Sequence, residues 1–395
     1  MSSSQVRINR PFLFAASLAW FQLIAEKRRL AAALAGIAVA IIMMLMQLGL
    51  REALFDSAVL HYSHVRGDLV MISSQYIMLL QTGGFSRRRL YQVTGQEGVE
   101  SVTPVYLSQA PWKNPQTLGE RNILVIGFDP HSSPIDVPEV QSQLSKIEIP
   151  DVVLFDRASR PEFGAVAQAF AQSGRVKTEA AGHEVEVGGL FTLGTSFGAD
   201  GTILTSDVTF QRMFPSREPG VIQLGVIRLK PGANPETVRS ALANTLSGDV
   251  KILTHAELIA LEKHYWAVNT PIGFVITMTL IFGLCVGAVI LYQILYTDVS
   301  DHLAEFATLK AMGHADRHLF LVVLFQAVLL ALLAYFPSWL ITAGIYAITK
   351  QATHLPIAMT LERTGIVFLL TVVMCSVSGF LAMQKLRSAD PAEVF

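Results

Sequence analysis

The chain has 395 residues, 51% of them hydrophobic and only 15% charged, with a formal net charge of −1. Charge this sparse is unlike an average soluble protein, and its near-neutral balance leaves no basic footprint for nucleic acid. Two cysteines, Cys285 and Cys375, both lie in apolar stretches, which excludes a disulfide framework or CxxC metal site; they read as small buried hydrophobes, with a mutual pairing the alternative.

Residues 1–29 set a basic cluster (Arg7, Arg10, Lys27, Arg28 and Arg29 against Glu26) around an apolar stretch from Phe12 to Ile24. A helix lying in the cytoplasmic interface, with Trp20 at headgroup depth, fits that pattern. Residues 30–50 hold no Asp, Glu, Lys or Arg and are long enough for the ~20 helical residues that cross a ~30 Å hydrocarbon layer. The run is too long for a signal-peptide core, and no small-residue cleavage site follows it, so it reads as a retained transmembrane helix. The helical pattern continues from Arg51 to Leu60, with no Gly or Pro before Gly67.

Residues 51–271 are water-compatible and read as one α+β domain with stalk helices at both ends. Strands are expected at Leu69–Ile72, Ile123–Phe128, Val152–Phe155, Glu184–Val187, Thr202–Thr205, Ile222–Leu229 and Val250–Leu253, separated by Gly, Pro and Asp turns. Asn234 and Pro235 open a helix to about Leu246, as N-cap and first helical residue, which makes 222–253 a compact βαβ unit. Residues 130–150, with four prolines, read as a surface excursion. His255–Val268 is the second stalk helix, running into the membrane with a kink expected at Pro271.

Three more uncharged runs follow, 272–296, 319–349 and 364–384, joined by loops 297–318 and 350–363 and ended by a tail, 385–395. Runs this apolar show no barrel alternation, so each is a helix, the only other structure that satisfies its backbone in hydrocarbon. The run 319–349 is too long for an untilted crossing and contains Pro337, so it either breaks there or projects. The fold class is therefore an α-helical membrane protein with four transmembrane helices and a large α+β periplasmic domain between helices 1 and 2. The positive-inside rule places both termini and 297–318 in the cytoplasm, with 350–363 outside.

Several chemical motifs fall away on inspection. Gly194-Thr195-Ser196-Phe197-Gly198 matches a nucleophile-elbow string, but a turn and another strand follow it where a helix is needed. His314 and His318 share a helix-face spacing without HExxH or a completing carboxylate. Arg87-Arg88-Arg89 reads as a solvated helix face. GxxxxGK[ST] is absent, so ATP chemistry has to come from another subunit. No catalytic, cofactor or metal residue is assigned.

Between the second and third crossings, Asp301-His302-Leu303-Ala304-Glu305-Phe306-Ala307-Thr308-Leu309-Lys310-Ala311-Met312-Gly313 resembles the RE(I/F)xxLKA(M/L)G loop of the MacB/FtsX superfamily of ABC-transporter permeases, with Ala304 where that family has Arg. The tail Asp390-Pro391-Ala392-Glu393 resembles the family's DPAE. Leu18–Leu23, Leu34–Ala38, Met46–Ala58, Val102–Tyr106 and Trp112–Thr117 look like the DevC-type permeases within it. The resemblance implies a bacterial inner-membrane permease working with a separate DevA-like ABC ATPase, a DevB-like membrane fusion protein and, indirectly, a TolC-like outer-membrane channel, and exporting a lipid-like cargo (glycolipid in the type member).

It also implies that Glu305, Phe306, Ala307, Thr308, Leu309, Lys310, Ala311, Met312 and Gly313 couple to the ATPase. Phe306, Leu309 and Met312 fall close to one helix face. Two ATPases closing together imply a permease homodimer, where Gly36 and the GxxxG pair Gly283 and Gly287 would allow close approach; such glycines also pack helices within one subunit. Trp112, Lys113 and Asn114 are the expected adaptor contact, from their turn-like composition. Two alternatives share this architecture: an FtsX-like transducer controlling a cell-wall hydrolase, and a lipoprotein-release permease.

Overall fold

Among the described residues, four helices are long and apolar enough to cross a membrane: Leu30–Ala58, Pro271–Ile294, Leu321–Thr353 and Leu361–Leu381. The computed structural model describes residues 20, 27–218, 220–246, 248–301, 316–353 and 355–388. Contacts divide the chain into a helical unit (Met1–Ala53, Phe274–Thr353 and Ile357–Phe395) and a domain unit (Leu54–Gly273 with His354–Pro356).

In the helical unit, the first membrane helix begins at Lys27 and belongs to one unbroken helix ending at Ala58. The second is Pro271–Asp301, the third Asp316–Thr353 and the fourth Leu361–Ser388. Their shared core is built by Ile37, Ile41, Met44 and Leu45 of the first helix, Leu291 of the second, Leu330 and Ala331 of the third, and Val367 and Cys375 of the fourth. Pro271 does not kink a continuous helix: the preceding one ends at Val268, capped by Asn269, and Pro271 starts the next, where its missing N–H is no loss. Pro337 does not break the third helix, which runs 38 residues through it. At 1.5 Å per residue that is ~57 Å, well beyond a ~30 Å core. Both cysteines are free thiols, Cys375 buried and Cys285 exposed.

The domain unit is built on a nine-stranded sheet ordered β11-β1-β10-β3-β4-β8-β5-β7-β6, with a two-stranded pairing of β2 (Phe85–Ser86) and β9 (Val221–Ile222) beside it. Its strands are β1 (Leu69–Ser73), β3 (Val99–Lys113), β4 (Glu120–Phe128), β5 (Val152–Asp156), β6 (Val176–Ala180), β7 (His183–Phe191), β8 (Thr202–Ser206), β10 (Leu224–Leu229) and β11 (Val250–Thr254). All of β1 is buried. Because side chains alternate across a strand, Leu69 and Met71 join one core while Val70 and Ile72 join the other. On the first face lie Leu90 and Val93 of helix Arg87–Val93 and Val238 and Leu242 of helix Pro235–Thr245; Leu258 of helix His255–Val268 lies on the second. Strands β10 and β11 flank β1, each antiparallel to it, so the expected βαβ unit is split by β1.

The 15-residue β3 holds the sheet together. Its first half pairs with β10 and its second with β4, the exchange falling at Val105, which lies opposite both Leu224 and Phe128. Trp112 then meets Ala180 of β6, closing β3-β4-β8-β5-β7-β6 on itself. Sequence reading missed β3 because Pro104 and Pro111 demote a strand. Here Pro104 sits just before the change of partner, and the Pro111 carbonyl accepts the Ala181 N–H at 2.9 Å.

Residues 130–150 are not a surface excursion. Short helices Pro138–Gln141 and Leu144–Ile147 bring Val140 and Ile147, both fully buried, with Ile135 and Val137, onto the second core face. The prolines hid this by starting turns of helix.

Trp112, 1% exposed, stacks near Phe155 (ring centroids 5.2 Å apart) and donates its indole N–H to the Phe163 carbonyl at 3.1 Å. Trp112→Ala should therefore destabilise the domain by ~3–5 kcal/mol. A lowered thermal midpoint and new protease cuts in β3–β4 are expected; an unchanged midpoint would deny Trp112 its part in closing the strands.

Candidate functional site

Among the described residues no group of three or more His, Cys, Asp or Glu could hold a metal ion. Ser196 is buried, its Oγ accepting the Ala199 N–H at 2.9 Å in a turn, and so cannot stand exposed as a nucleophile. Arg87 bonds the Tyr91 hydroxyl at 2.7 Å and Arg89 pairs with Asp249 at 3.0 Å, on a helix whose Arg88 is exposed. In the domain unit the buried polar contacts gather on the helix His255–Val268.

That helix starts on a capping box. The Thr254 hydroxyl accepts the Glu257 N–H, and the Glu257 carboxylate accepts the Thr254 N–H at 2.8 Å, so the first-turn donors are satisfied. Two turns on, Glu262 is 1% exposed. Its carboxylate accepts the Tyr76 hydroxyl at 2.6 Å, the Leu79 N–H at 3.2 Å and the Trp266 indole N–H at 3.1 Å. With the Tyr76 proton committed to Glu262, the Tyr62 hydroxyl donates to the Tyr76 oxygen at 2.5 Å. His255 Nε2 donates to the Tyr62 carbonyl at 2.6 Å. Burial pushes the Glu262 carboxyl above its usual range, against the pull of Tyr76, Leu79 and Trp266. Burial is also the main reason the Tyr62 and Tyr76 hydroxyls are pushed up. Near neutral pH the two phenols stay protonated and remain donors.

Lys263, next to Glu262, bonds Asp56 in the last turn of helix Lys27–Ala58 at 2.6 Å. Both partners are substantially exposed, so the pair is worth at most ~1 kcal/mol. His61 is wholly inside the domain, its Nε2 2.8 Å from the Thr202 hydroxyl, and burial, aided by nearby His64, pushes it down to about 4.

Of the three expected adaptor residues, Trp112 and Asn114 are buried. The Asn114 amide donates to the Glu162 carbonyl, and its oxygen accepts the Gln116 and Thr117 N–H groups. Only Lys113, paired with Glu179 at 3.0 Å, keeps a partly exposed side chain. The exposed stretch is the hairpin tip 116–120, where Leu118 is 64% exposed at φ 61°. Gly36 and Gly287 lie where the first two membrane helices of one chain meet: a Cβ at Gly287 would come within 2.7 Å of the Ala40 Cβ, and one at Gly36 within 3.0 Å of Ile290. Gly283 has room, its nearest neighbour being the Met43 Cε at 3.8 Å. Glu305, Phe306, Ala307, Thr308, Leu309, Lys310, Ala311, Met312 and Gly313 lie outside the described residues, as does His314.

Sequence reading missed Glu262, Tyr62 and Tyr76. The one available signal was an acid at position 262 on the face that also carries Leu258, four residues earlier.

A model of the MacB-like periplasmic core domain matches residues 30–245, and one of the FtsX-like permease C-terminal region matches residues 277–391. Among solved structures, the chain is similar to the periplasmic region of MacB from Actinobacillus actinomycetemcomitans, at 10% identity over 49% of this chain and 92% of that one, with a TM-score of 0.35. It is also similar to the extracellular domain of the noncanonic ABC-type transporter YknZ from Gram-positive bacteria, at 12% identity over 48% of this chain and 99% of that one, with a TM-score of 0.32. No curated protein matches.

His61 gives the domain a specific acid sensitivity. Its ordinary value of 6.5 is lowered to about 4 on folding, so the unfolded chain binds the extra proton. The stability it contributes is complete above pH 6.5 and is lost as pH falls toward 4, by ~3 kcal/mol in all. Thermal midpoints taken across that window should fall more steeply for the native chain than for His61→Gln. Parallel curves would mean that His61 is not held neutral.

Proposed function

The chain belongs to the MacB/FtsX-like family of ABC-transporter permeases, its core-domain match alone covering more than half of its residues, and from that premise we propose that it is the permease subunit of a tripartite exporter that moves its cargo by mechanotransmission. Permeases of this family work with cytoplasmic ATPase partners, often with periplasmic adaptors, and typically lack the ATPase site themselves. In this reading the ATPase engages Glu305–Gly313, both termini are cytoplasmic and the domain is periplasmic. The chain pairs with a second copy, and a membrane fusion protein docks on the domain and leads to an outer-membrane channel. The cargo is lipid-like, with glycolipid favoured by the DevC-type resemblance.

The observation that carries this reading is the single helix Lys27–Ala58. Its membrane stretch packs in the bundle core through Ile37, Ile41 and Leu45, and its last turn is tied by Asp56 to the stalk helix. A rigid rod with polar anchors transmits displacement. The scarcity of charge within the four spans supports the same view, because ionisable side chains in a membrane mark solute and ion pathways, and these spans hold none in 30–50, 272–296, 319–349 or 364–384.

Retention of partners by the tagged chain from its native membrane tests the assignment. An ATPase recovered together with a membrane fusion protein is the expected result; an ATPase with a cell-wall hydrolase and no adaptor would replace export by signalling. On the coupling segment, Glu305→Ala and Phe306→Ala should each abolish permease-stimulated ATP hydrolysis while leaving insertion intact. Full stimulation in both would remove that segment from the coupling.

A further inference from the structure

The first turn of the fourth membrane helix holds a buried cation. Arg363 is 5% exposed and directly precedes the uncharged run 364–384, so its position requires polar partners. It has them on three elements. One terminal nitrogen bonds the Glu52 carboxylate of the first membrane helix. The other donates to the Ala358 carbonyl at 2.5 Å and reaches the Tyr346 hydroxyl of the third membrane helix at 3.4 Å. Tyr346 passes its own proton to the first helix, donating to the Leu45 carbonyl. The guanidinium carbon also sits 5.8 Å from the centre of the Tyr346 ring.

The first helix is shaped for this approach. A Cβ at Gly49 would come within 2.0 Å of the Tyr346 hydroxyl oxygen, so at this turn only glycine lets the phenol reach the backbone carbonyl beneath it. The third and fourth helices are joined at the same level: Tyr335 donates to the Thr364 carbonyl at 2.5 Å, and its ring meets Phe368 edge-on at 5.1 Å. The second helix is different. Its members of the bundle core begin at Leu284, and nearer its start Phe274 and Val275 are more than half exposed.

We infer that Arg363 is a positioning residue: with Glu52, Tyr346 and Gly49 it clamps the C-terminal ends of the first and third membrane helices' apolar runs and the first turn of the fourth into one block. Displacement of the first helix is then shared by the other two instead of being lost as slip between them. An arginine is required, since one planar fork serves three acceptors on separate elements, which the single ammonium of a lysine does not reproduce. The inference rests on the mechanotransmission reading, whose moving part it defines.

Pulsed electron–electron resonance on the full chain in nanodiscs tests it. Cys285→Ala removes the exposed thiol, and spin labels at Met43→Cys with Leu369→Cys, and at Met43→Cys with Ile348→Cys, report the first helix against the fourth and third. Labelled chain is diluted with unlabelled chain, so that only distances within one subunit are read. The native clamp should give one narrow distance for each pair, unchanged when the ATPase partner and a non-hydrolysable ATP analogue are added. Arg363→Gln, and the milder Tyr346→Phe, should broaden both distributions and make them shift with nucleotide.

A native chain whose own distances shift with nucleotide would overturn the clamp, and so would variants as narrow and unresponsive as the native protein. If the native chain fails to stimulate any ATPase, the permease reading fails instead, and the nucleotide-free widths still judge the clamp.

Discussion

A carboxylate taken out of water has to be given donors, and the domain is arranged around one such debt at Glu262. Its side chain is met by a phenol from the segment after β1, a backbone N–H three residues further on, and an indole from its own helix. Replacing any donor by a hydrocarbon would leave a buried oxygen unsatisfied, at ~1–3 kcal/mol and more for a charged group. Tyr76 lies just beyond β1, and the Ser74 N–H bonds Asp249 immediately before β11. The stalk helix is therefore anchored to the edge of the sheet from which it emerges, and a force on Glu262 acts on β1 and β11 together.

Sheet topology determines how far such a force travels. Strand β1 is paired on both sides, to β10 and β11, and buried on both faces. Strand β10 in turn holds β3, which continues into the closed half of the sheet. One strand thus belongs to both halves, and its second half is pinned by Trp112, whose indole reaches the segment before helix Val166–Ser173. The packing of such an interior is close to that of an organic crystal, so the two halves cannot slide at β3 without opening a cavity.

Much of the architecture was legible in the sequence, because the features concerned are local. Uncharged runs specify membrane helices through the cost of bare backbone in hydrocarbon, and Asn234-Pro235 marks a helix start through its own side chain, which accepts the Glu236 and Thr237 N–H groups. What failed was non-local. Strand β3 carries two prolines that its partners accommodate, and residues 130–150 look polar and broken although Val140 and Ile147 are fully buried. Trp112 and Asn114 read as a surface turn because exposure depends on what lies across from them, here Phe163 and Glu162. The two buried polar clusters join residues 186 and 311 positions apart, a separation over which no periodicity in the sequence carries information.

Burial separates the polar contacts of the two clusters from those at the surface. Asp56 and Lys263 pair at 2.6 Å, yet both side chains are well exposed, so water competes for each partner and salt screens the rest. Glu262 and Arg363 are buried, and neither can leave its partners without a desolvated charge being stranded. Each cluster spans elements far apart in sequence, and each uses a tyrosine hydroxyl as an intermediate that both accepts and donates. Tyr76 accepts from Tyr62 and donates to Glu262, while Tyr346 accepts from Arg363 and donates to Leu45. A phenol in this role has no spare proton, which fixes the direction of every bond in the chain. That ordering resists the small rotations by which hydrogen-bonded helices slip past one another.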